Sequence, residues 1–184
     1  MPNTKGSNVL ELVRFLRSRR DEARELLPSA LHHYLEDRIE VTRWYPEEDS
    51  AGLQRAVAAL FPVTDEDAYE LMGSLDAQLH LKGVYGHLLE NARTEVLPLR
   101  ITALWSSVHD TGKVRVAQTQ PGRSQIDLTD FGATSIEVCS SATGYIREVF
   151  RMTGVENLNV RKSSCRLSGD DICSWTVTWN PEDQ

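Results

Sequence analysis

The chain lacks a surplus of basic residues, a long apolar run and enough cysteine for a disulfide framework. Its 184 residues carry 20 Lys and Arg against 27 Asp and Glu, and the net charge of −7 argues against binding to nucleic-acid phosphates. No stretch approaches the ~18 apolar residues of a membrane span, and no secretory signal is visible, so we expect a cytoplasmic protein. Three cysteines, an odd number, are not expected to form a disulfide framework in a reducing compartment.

Familiar catalytic motifs are also missing. The sequence contains neither G-x-S-x-G nor H-E-x-x-H, and Asp110–Lys113 ("DTGK") is too short for a phosphate-binding loop. His32 and His33 are adjacent and would face different directions on a helix, whereas His80 and His87 could share a helix face but have no further metal ligands beside them. No haem-attachment motif flanks any of these histidines. We therefore expect a protein that is not an enzyme.

Hydrophobic periodicity divides the chain into a helical half and a strand-rich half. Apolar residues recur at helical spacing through about residues 8–91, where Gly73 is expected to end or bend the helix that begins at Asp65. A further helix follows, and then the β-type alternation of "KVRVAQTQ", "SQIDLTDF" and the last strand. We predict a single α+β domain over residues 1–184, with a helical layer packed on an antiparallel sheet of about four strands. The strand-rich part covers about 92–180.

All three cysteines lie in the second half. Cys165 and Cys173 are eight residues apart on either side of a Ser168–Asp171 turn. A bulge at Ser163–Ser164 would bring Cys165 onto the apolar face opposite Cys173, where directly opposed Cβ atoms are ~5 Å apart. Cys139 lies just before a predicted helix. The three thiols are therefore candidates for metal ligands, for a disulfide pair or for packed core residues.

Residues 130–179 carry a spaced pattern of cysteine, glycine and aromatic residues, at Cys139, Gly144–Tyr145, Gly154, Cys165, Gly169–Asp170, Cys173 and Trp175–Trp179. This pattern resembles that of the 4-vinyl reductase-like small-molecule-binding domain. The preceding "LRITALWSSVHDTGKVRV" is also similar to this family, so the match covers roughly residues 92–180. The resemblance implies a fold shared with haem-based nitric-oxide sensors and with a vesicle-tethering subunit of Golgi transport. It also implies an apolar pocket between the helical layer and the sheet.

The same resemblance implies a structural zinc site at Cys139, Cys165 and Cys173. Relatives complete such a site with a glutamate three residues before the second cysteine, and Lys162 occupies that position here. A cation in place of a carboxylate removes a ligand and adds repulsion, so the fourth ligand is unassigned. Other residues that could supply a ligand atom are Glu137, His109, Asp170 and Asp171.

Six residues on two predicted helices are the candidate ligand-binding residues, namely Leu104, Trp105 and Val108 on one helix and Tyr145, Val149 and Phe150 on the other. The alternative is that these side chains only fill the core. Trp105 and Tyr145 are the strongest candidates because each has an apolar body and a polar tip. We predict a non-catalytic ligand-binding or sensory module that holds a small hydrophobic or aromatic molecule, forms a homodimer and signals to another protein.

Two other functions stay open. The chain could be a protein-interaction adaptor without a small-molecule ligand, for which the vesicle-tethering relatives are the precedent. It could also be an accessory to tetrapyrrole reduction, which would carry a bound chromophore. An exposed apolar patch and a plugged pocket would favour the adaptor.

Overall fold

Helices and an antiparallel sheet pack against each other, and the computed structural model describes residues 1–83, 86–88 and 97–180. The predicted boundary near residues 91–92 lies outside the described residues. The α-helices are α1 (Gly6–Ser18), α2 (Arg20–Leu26), α3 (Glu47–Ala58), α4 (Asp65–Lys82), α5 (Leu97–Val108) and α6 (Ile136–Arg151). The strands are β1 (Asn3–Lys5), β2 (Trp44–Pro46), β3 (Lys113–Gln120), β4 (Arg123–Thr129), β5 (Asn159–Ser164) and β6 (Cys173–Thr178), and 3₁₀ turns cover Ser29–Leu35, Gly86–Leu88 and Arg166–Ser168. Within the described ranges, no helix has the length and apolar character that crossing a bilayer requires.

The main sheet has four antiparallel strands in the order β3-β4-β6-β5, which confirms the predicted fold class. Its central pairings place apolar residues opposite one another, with Ile126 across from Trp175 and Val160 across from Val177. All four side chains are buried, because alternate residues of a strand point to the same face and this face meets the helices. The sheet therefore presents an apolar face to the helical layer.

Helix α4 continues through Gly73 to Lys82, where the sequence predicted an end or a bend. Gly73 lies where α4 crosses α6, and a Cβ atom there would be only 1.8 Å from the backbone oxygen of Ser141. Gly144 has the matching position on α6, where a Cβ atom would be 1.9 Å from the backbone oxygen of Glu70. The two glycines are thus required by the close approach of two helix backbones, and not by a change of chain direction.

The buried apolar residues form two clusters that share helix α4. One cluster joins α1, α2, α3 and the first half of α4, to which α4 contributes Ala68, Tyr69 and Met72. The other joins α5, α6 and the sheet, and includes Ala77 and Leu81 from the second half of α4. Helix α4 therefore connects the helical half of the chain to the strand-rich half through its own buried side chains.

The first residues of the chain form a strand that the sequence analysis did not predict. Strand β1 pairs with β2, and Thr4 also bridges to His109 at the end of α5. The backbone nitrogen of Asn3 donates to Asp110 Oδ1 at 2.6 Å, and Thr4 Oγ1 donates to the Val108 carbonyl at 3.0 Å. These contacts join positions more than 100 residues apart, so no local sequence pattern predicts them.

Candidate functional site

A cavity of about 110 Å³ lies between the helical layer and the main sheet. Both halves of the chain contribute to its walls, including β1, α3, α4, α5, α6 and the sheet. Its apolar lining comprises Ile101, Leu104, Trp105, Val108, Val114, Ile126, Leu128, Val138, Ala142, Ile146 and Trp175. Its polar lining comprises Thr4, Asn8, Glu47, Ser50, Gln54, Asp76, His80, His109, Ser141 and Tyr145, with Gly73 beside them. The cavity thus has an apolar side toward the sheet and a polar side toward the N-terminal half.

Four of the six predicted ligand-binding residues line this cavity, namely Leu104, Trp105, Val108 and Tyr145. Val149 and Phe150 do not line it. Both are buried in the core cluster, and the Phe150 ring packs 5.6 Å from the ring of Trp179. For these two positions the structure agrees with the alternative of core filling.

His80 and Tyr145 meet on the polar side of the cavity. The Nδ1 atom of His80 lies 3.3 Å from the Tyr145 hydroxyl, and the two rings are 5.9 Å apart. Burial, followed by the charge of His109, lowers the pKa of His80 to about 4. The imidazole is therefore neutral at physiological pH and can both donate and accept a hydrogen bond.

His109 is fixed in place by contacts on its edge and on its face. Its Nδ1 atom lies 2.5 Å from Glu47 Oε1, and the Glu47 side chain is buried. The Trp105 ring stacks on the imidazole at 4.0 Å, and Trp105 Nε1 donates to the Thr111 carbonyl at 3.0 Å. Trp105 therefore offers the cavity its ring and not its N–H group, because the polar tip already has a partner.

Three further polar residues of the wall either lack a hydrogen-bond donor for a buried oxygen or carry a carboxyl group whose ionisation is disfavoured by burial. Asn8 Nδ2 donates to Thr4 Oγ1 at 2.8 Å, but Asn8 Oδ1 is buried without a hydrogen-bond partner, and so is Gln54 Oε1. Burial of the Asp76 carboxyl, reinforced by the charge of Glu11, raises its pKa to about 7. Such oxygen atoms favour a molecule in the cavity that can donate hydrogen bonds to them.

Most of this polar wall comes from the first half of the chain, whereas the predicted ligand-binding residues all lie in the second half. One signal was available. Gly73, Asp76 and His80 are separated by three and four residues, so they share one face of α4. A carboxylate and an imidazole on one helix face are not what a plain core contact requires, whereas Gly73 serves the crossing of α4 and α6. The contributions of Thr4, Asn8 and Glu47 had no comparable local signal.

The three cysteines converge, as predicted. Their Sγ atoms all lie within 4.8 Å of one another, and those of Cys139 and Cys165 are 3.9 Å apart. The predicted bulge is present, since the pairing of β5 with β6 shifts register between Lys162 and Ser164. Cys139 lies in the first turn of α6 and not before it, because Ser135 caps the helix and Ile136 begins it.

Three sulfurs at this spacing could hold a metal ion together, but the fourth position does not suit zinc. The Lys162 Nζ atom is buried and has no hydrogen-bond partner, and it is near enough to interact with the thiols of Cys139 and Cys165. An ammonium group carries no lone pair, so it cannot complete the four-ligand shell of a structural zinc site.

The other residues predicted for the fourth position are engaged elsewhere. Glu137 accepts a hydrogen bond from Arg55 at 2.8 Å, His109 contacts Glu47, and Asp170 Oδ2 accepts from the backbone nitrogen of Cys165 at 2.6 Å. In the part of the chain that the structure describes, Asp171 does not join the sulfurs in a group of metal-ligand atoms. These donor groups therefore do not fit the predicted structural zinc site.

Comparison with known proteins identifies the fold. No family model matches the chain, and no curated protein matches it. Solved structures of H-NOX proteins do match: a mutant from K. algicida in the Fe(II) unliganded state has a TM-score of 0.67 at 12% identity, with 96% of each chain covered. One from S. oneidensis in the Fe(II)NO ligation state has a TM-score of 0.63 at 11% identity, with 96% of this chain and 99% of the other covered. A mutant H-NOX from T. tengcongensis has a TM-score of 0.65 at 9% identity, covering 96% of this chain and 97% of the other. At such low identity these likenesses show the fold alone, and the chain has the α+β fold of the H-NOX proteins.

Proposed function

We propose that this chain is a non-catalytic sensor module that binds a small molecule in the cavity between the helical layer and the sheet. The observation that carries the proposal is the composition of the walls. An apolar sheet face lies opposite buried polar atoms, and two of these, Asn8 Oδ1 and Gln54 Oε1, have no partner. The fold of gas-sensing H-NOX proteins and the cysteine and glycine pattern of the 4-vinyl reductase-like domain both support a ligand-binding role.

The cavity dimensions favour a ligand of about one aromatic ring. An engineered protein cavity of about 150 Å³ accommodates benzene, and the cavity here is of the same order at about 110 Å³. The ligand would place its apolar face on Trp175 and Ile126 and direct a donor group toward Asn8, Gln54 or Asp76.

Haem, which the H-NOX fold suggests, does not fit this cavity. A porphyrin contains four pyrrole rings, and this cavity between the helical layer and the sheet, at about 110 Å³, is of single-ring size. The two imidazoles of the wall are also engaged, His80 with Tyr145 and His109 with Glu47. The same comparison of size weakens the proposal of an accessory to tetrapyrrole reduction.

Filling the cavity is expected to abolish ligand binding. Benzene, phenol and aniline serve as single-ring probes, and each probe that binds should stabilise the folded chain by about 2.7 kcal/mol at a hundred times its dissociation constant. Ala142→Leu puts three extra carbon atoms into the cavity wall and should remove this stabilisation. Thermal unfolding with and without each probe measures the effect, and native mass spectrometry of protein from its own host detects a resident ligand.

Ala103→Leu is the matched control because Ala103 is exposed on α5. This variant should respond to the probes as the unaltered protein does. Equal stabilisation of the Ala142→Leu variant would show that the probes bind elsewhere. A resident mass equal to haem would contradict the single-ring ligand.

The proposed quaternary state is a homodimer formed through the exposed face of α4. Leu71, Leu75 and Leu79 are 44%, 46% and 52% exposed, and their four-residue spacing places them on one face. A Leu75→Glu substitution would bury a charge in the dimer and should give a monomer in light scattering at micromolar concentration. Leu167→Glu, at a leucine that is 52% exposed outside this face, should leave the mass unchanged. A monomeric unaltered protein would refute this interface.

The same leucine face favours the second candidate function, a protein-interaction adaptor. An adaptor would use Leu71, Leu75 and Leu79 to bind another protein, and its cavity would stay without a ligand. The probe experiment distinguishes the two proposals. If the chain is an adaptor, the probes should stabilise neither the unaltered protein nor the Ala142→Leu and Ala103→Leu variants.

A further inference from the structure

The cysteine cluster is asymmetric in its exposure. Cys139 and Cys173 are 4% and 1% exposed, whereas Cys165 is partly exposed at the end of β5, beside the exposed turn residues Arg166 and Leu167. Cys165 is therefore the cysteine of this cluster that is open to solvent, and the other two are buried. The Sγ atom of Cys139 lies 3.9 Å from that of Cys165.

Lys162 brings a positive charge into this cluster. Its Nζ atom is buried, it lies 4.9 Å from the centre of the Trp175 ring, and it has no hydrogen-bond partner among the nitrogen and oxygen atoms around it. A buried ammonium group without a partner is costly, and a neighbouring thiolate is the group that would offset its charge. The geometry thus favours one thiolate in the cluster, paired with Lys162.

The thiols of Cys165 and Cys139 differ in pKa, as the pairing of only one thiolate with Lys162 requires. Burial raises the pKa of the Cys165 thiol, but the nearby positive charge of Lys162 and the Leu167 backbone outweigh it and leave the pKa below its usual range. Burial raises the pKa of the Cys139 thiol to about 12, despite the opposing effect of Lys162. The accessible sulfur is therefore the more acidic of the two, and the buried sulfur of Cys139 keeps its proton.

We propose that Lys162 replaces a metal ion in this cluster and makes it an oxidation site, at which a peroxide converts Cys165 and Cys139 into a disulfide. The proposal is independent of the cavity and its ligand. It rests on the 3.9 Å separation of the two sulfurs, on the exposure of only one of them and on the buried ammonium group of Lys162 in the same cluster.

The reaction has two steps. The Cys165 thiolate attacks one oxygen of hydrogen peroxide, the O–O bond breaks, and the departing hydroxide takes up a proton to leave as water, which makes a sulfenic acid at Cys165. The Cys139 sulfur then attacks the Cys165 sulfur, the S–O bond breaks, and the hydroxyl leaves as water with the Cys139 proton. Two thiols lose two electrons and two protons, and one peroxide becomes two waters. The sulfurs must move from 3.9 Å to about 2.05 Å apart.

Peptide mapping by mass spectrometry of the full chain, after a stoichiometric amount of hydrogen peroxide, tests the proposal. We expect a peptide pair linked between Cys139 and Cys165 that disappears after reduction. In a Cys139→Ser variant the sulfenic acid at Cys165 has no partner and should be trapped by dimedone. A Cys173→Ser variant should form the same link as the unaltered chain.

Lys162→Met keeps the length of the side chain and removes its charge. It should slow the reaction of Cys165 with peroxide by about five- to tenfold, since loss of the cation reduces the thiolate fraction. Lys162→Arg, which keeps the charge, should retain most of the rate, and this rescue separates an electrostatic role from a structural one.

Three results would overturn the proposal. These are a disulfide between Cys165 and Cys173 in place of the expected one, an unchanged rate in the Lys162→Met variant, and one equivalent of zinc in the purified chain. The zinc measurement uses the unaltered chain, so it can refute the proposal even if a variant fails to fold.

Discussion

Replacing Gly144 with alanine is expected to lower the free energy of unfolding by about 3 kcal/mol, a large fraction of the stability of an ordinary domain. The added Cβ would lie 1.9 Å from the backbone oxygen of Glu70, so α4 and α6 would have to move apart by more than an ångström. The backbone oxygen of Glu70 cannot relieve this contact by rotating away, as the end of a side chain could. The same displacement would separate His80 on α4 from Tyr145 on α6. It would therefore also disrupt the polar side of the cavity. Urea denaturation measures the change.

Gly52→Ala is the matched control, because it makes the same substitution inside helix α3. The closest neighbour of its Cβ would be the Cδ1 atom of Leu31, at 2.6 Å, and the end of a leucine side chain can adjust. Alanine is favoured over glycine in a helix by about 1 kcal/mol, which offsets this adjustment, so we expect a change within about 0.5 kcal/mol of zero. If Gly144→Ala were equally harmless, the close crossing of α4 and α6 would be disproved.

Asp76→Asn is expected to stabilise the folded chain by about 2 kcal/mol near pH 8 and by much less near pH 4.5. The pKa of Asp76 is raised by burial to about 7, against an unfolded value of about 3.9. Its ionised form is therefore disfavoured in the folded state. The resulting destabilisation is absent below about pH 4, grows between pH 4 and pH 7, and is complete above pH 7. Asparagine has no charge to bury, so the variant lacks this dependence. Thermal or urea unfolding of both proteins across this pH range gives the comparison.

Glu66→Gln provides the control for the pH experiment, since Glu66 is an exposed carboxylate on the same helix. It should shift stability by a small and nearly constant amount across the range. A stabilisation by Asp76→Asn that is equal at pH 4.5 and pH 8 would mean that the side-chain volume, and not its charge, is responsible. A ligand that donates to Asp76 should reduce the difference between the variant and the unaltered chain.

The sheet and the pairing of Cys165 with Cys173 could be predicted from sequence because their determinants are local. Apolar and polar residues alternate along strand β6, and the Ser163–Ser164 interruption predicted the bulge that brings Cys165 toward Cys173. A hairpin places residues close in sequence beside each other in space, so the register of these two cysteines was contained in about fifteen residues. Cys139 joins them from helix α6 through a tertiary contact, which only the family resemblance indicated.

The polar side of the cavity could not be predicted in the same way. Asn8, Glu47 and His80 approach each other only after α4 packs on α6 and after β1 bridges to His109. Gly73 was interpreted as a break in a helix because its requirement, the oxygen atom of Ser141, lies 68 residues further along the chain and is invisible to any local pattern. Tertiary contacts of this kind override local propensity.

Helix α4 belongs to both apolar clusters, and this has a practical consequence for dividing the chain. A fragment cut near the predicted boundary at residues 91–92 would lose Ala77 and Leu81, which cover the sheet, and His80 with them. Its β-rich surface would face water where a helix now shields it. The strand-rich half that carries the cysteine pattern is therefore not a unit to be expressed alone, because helix α4 and strand β1 from the first half supply part of the cavity wall.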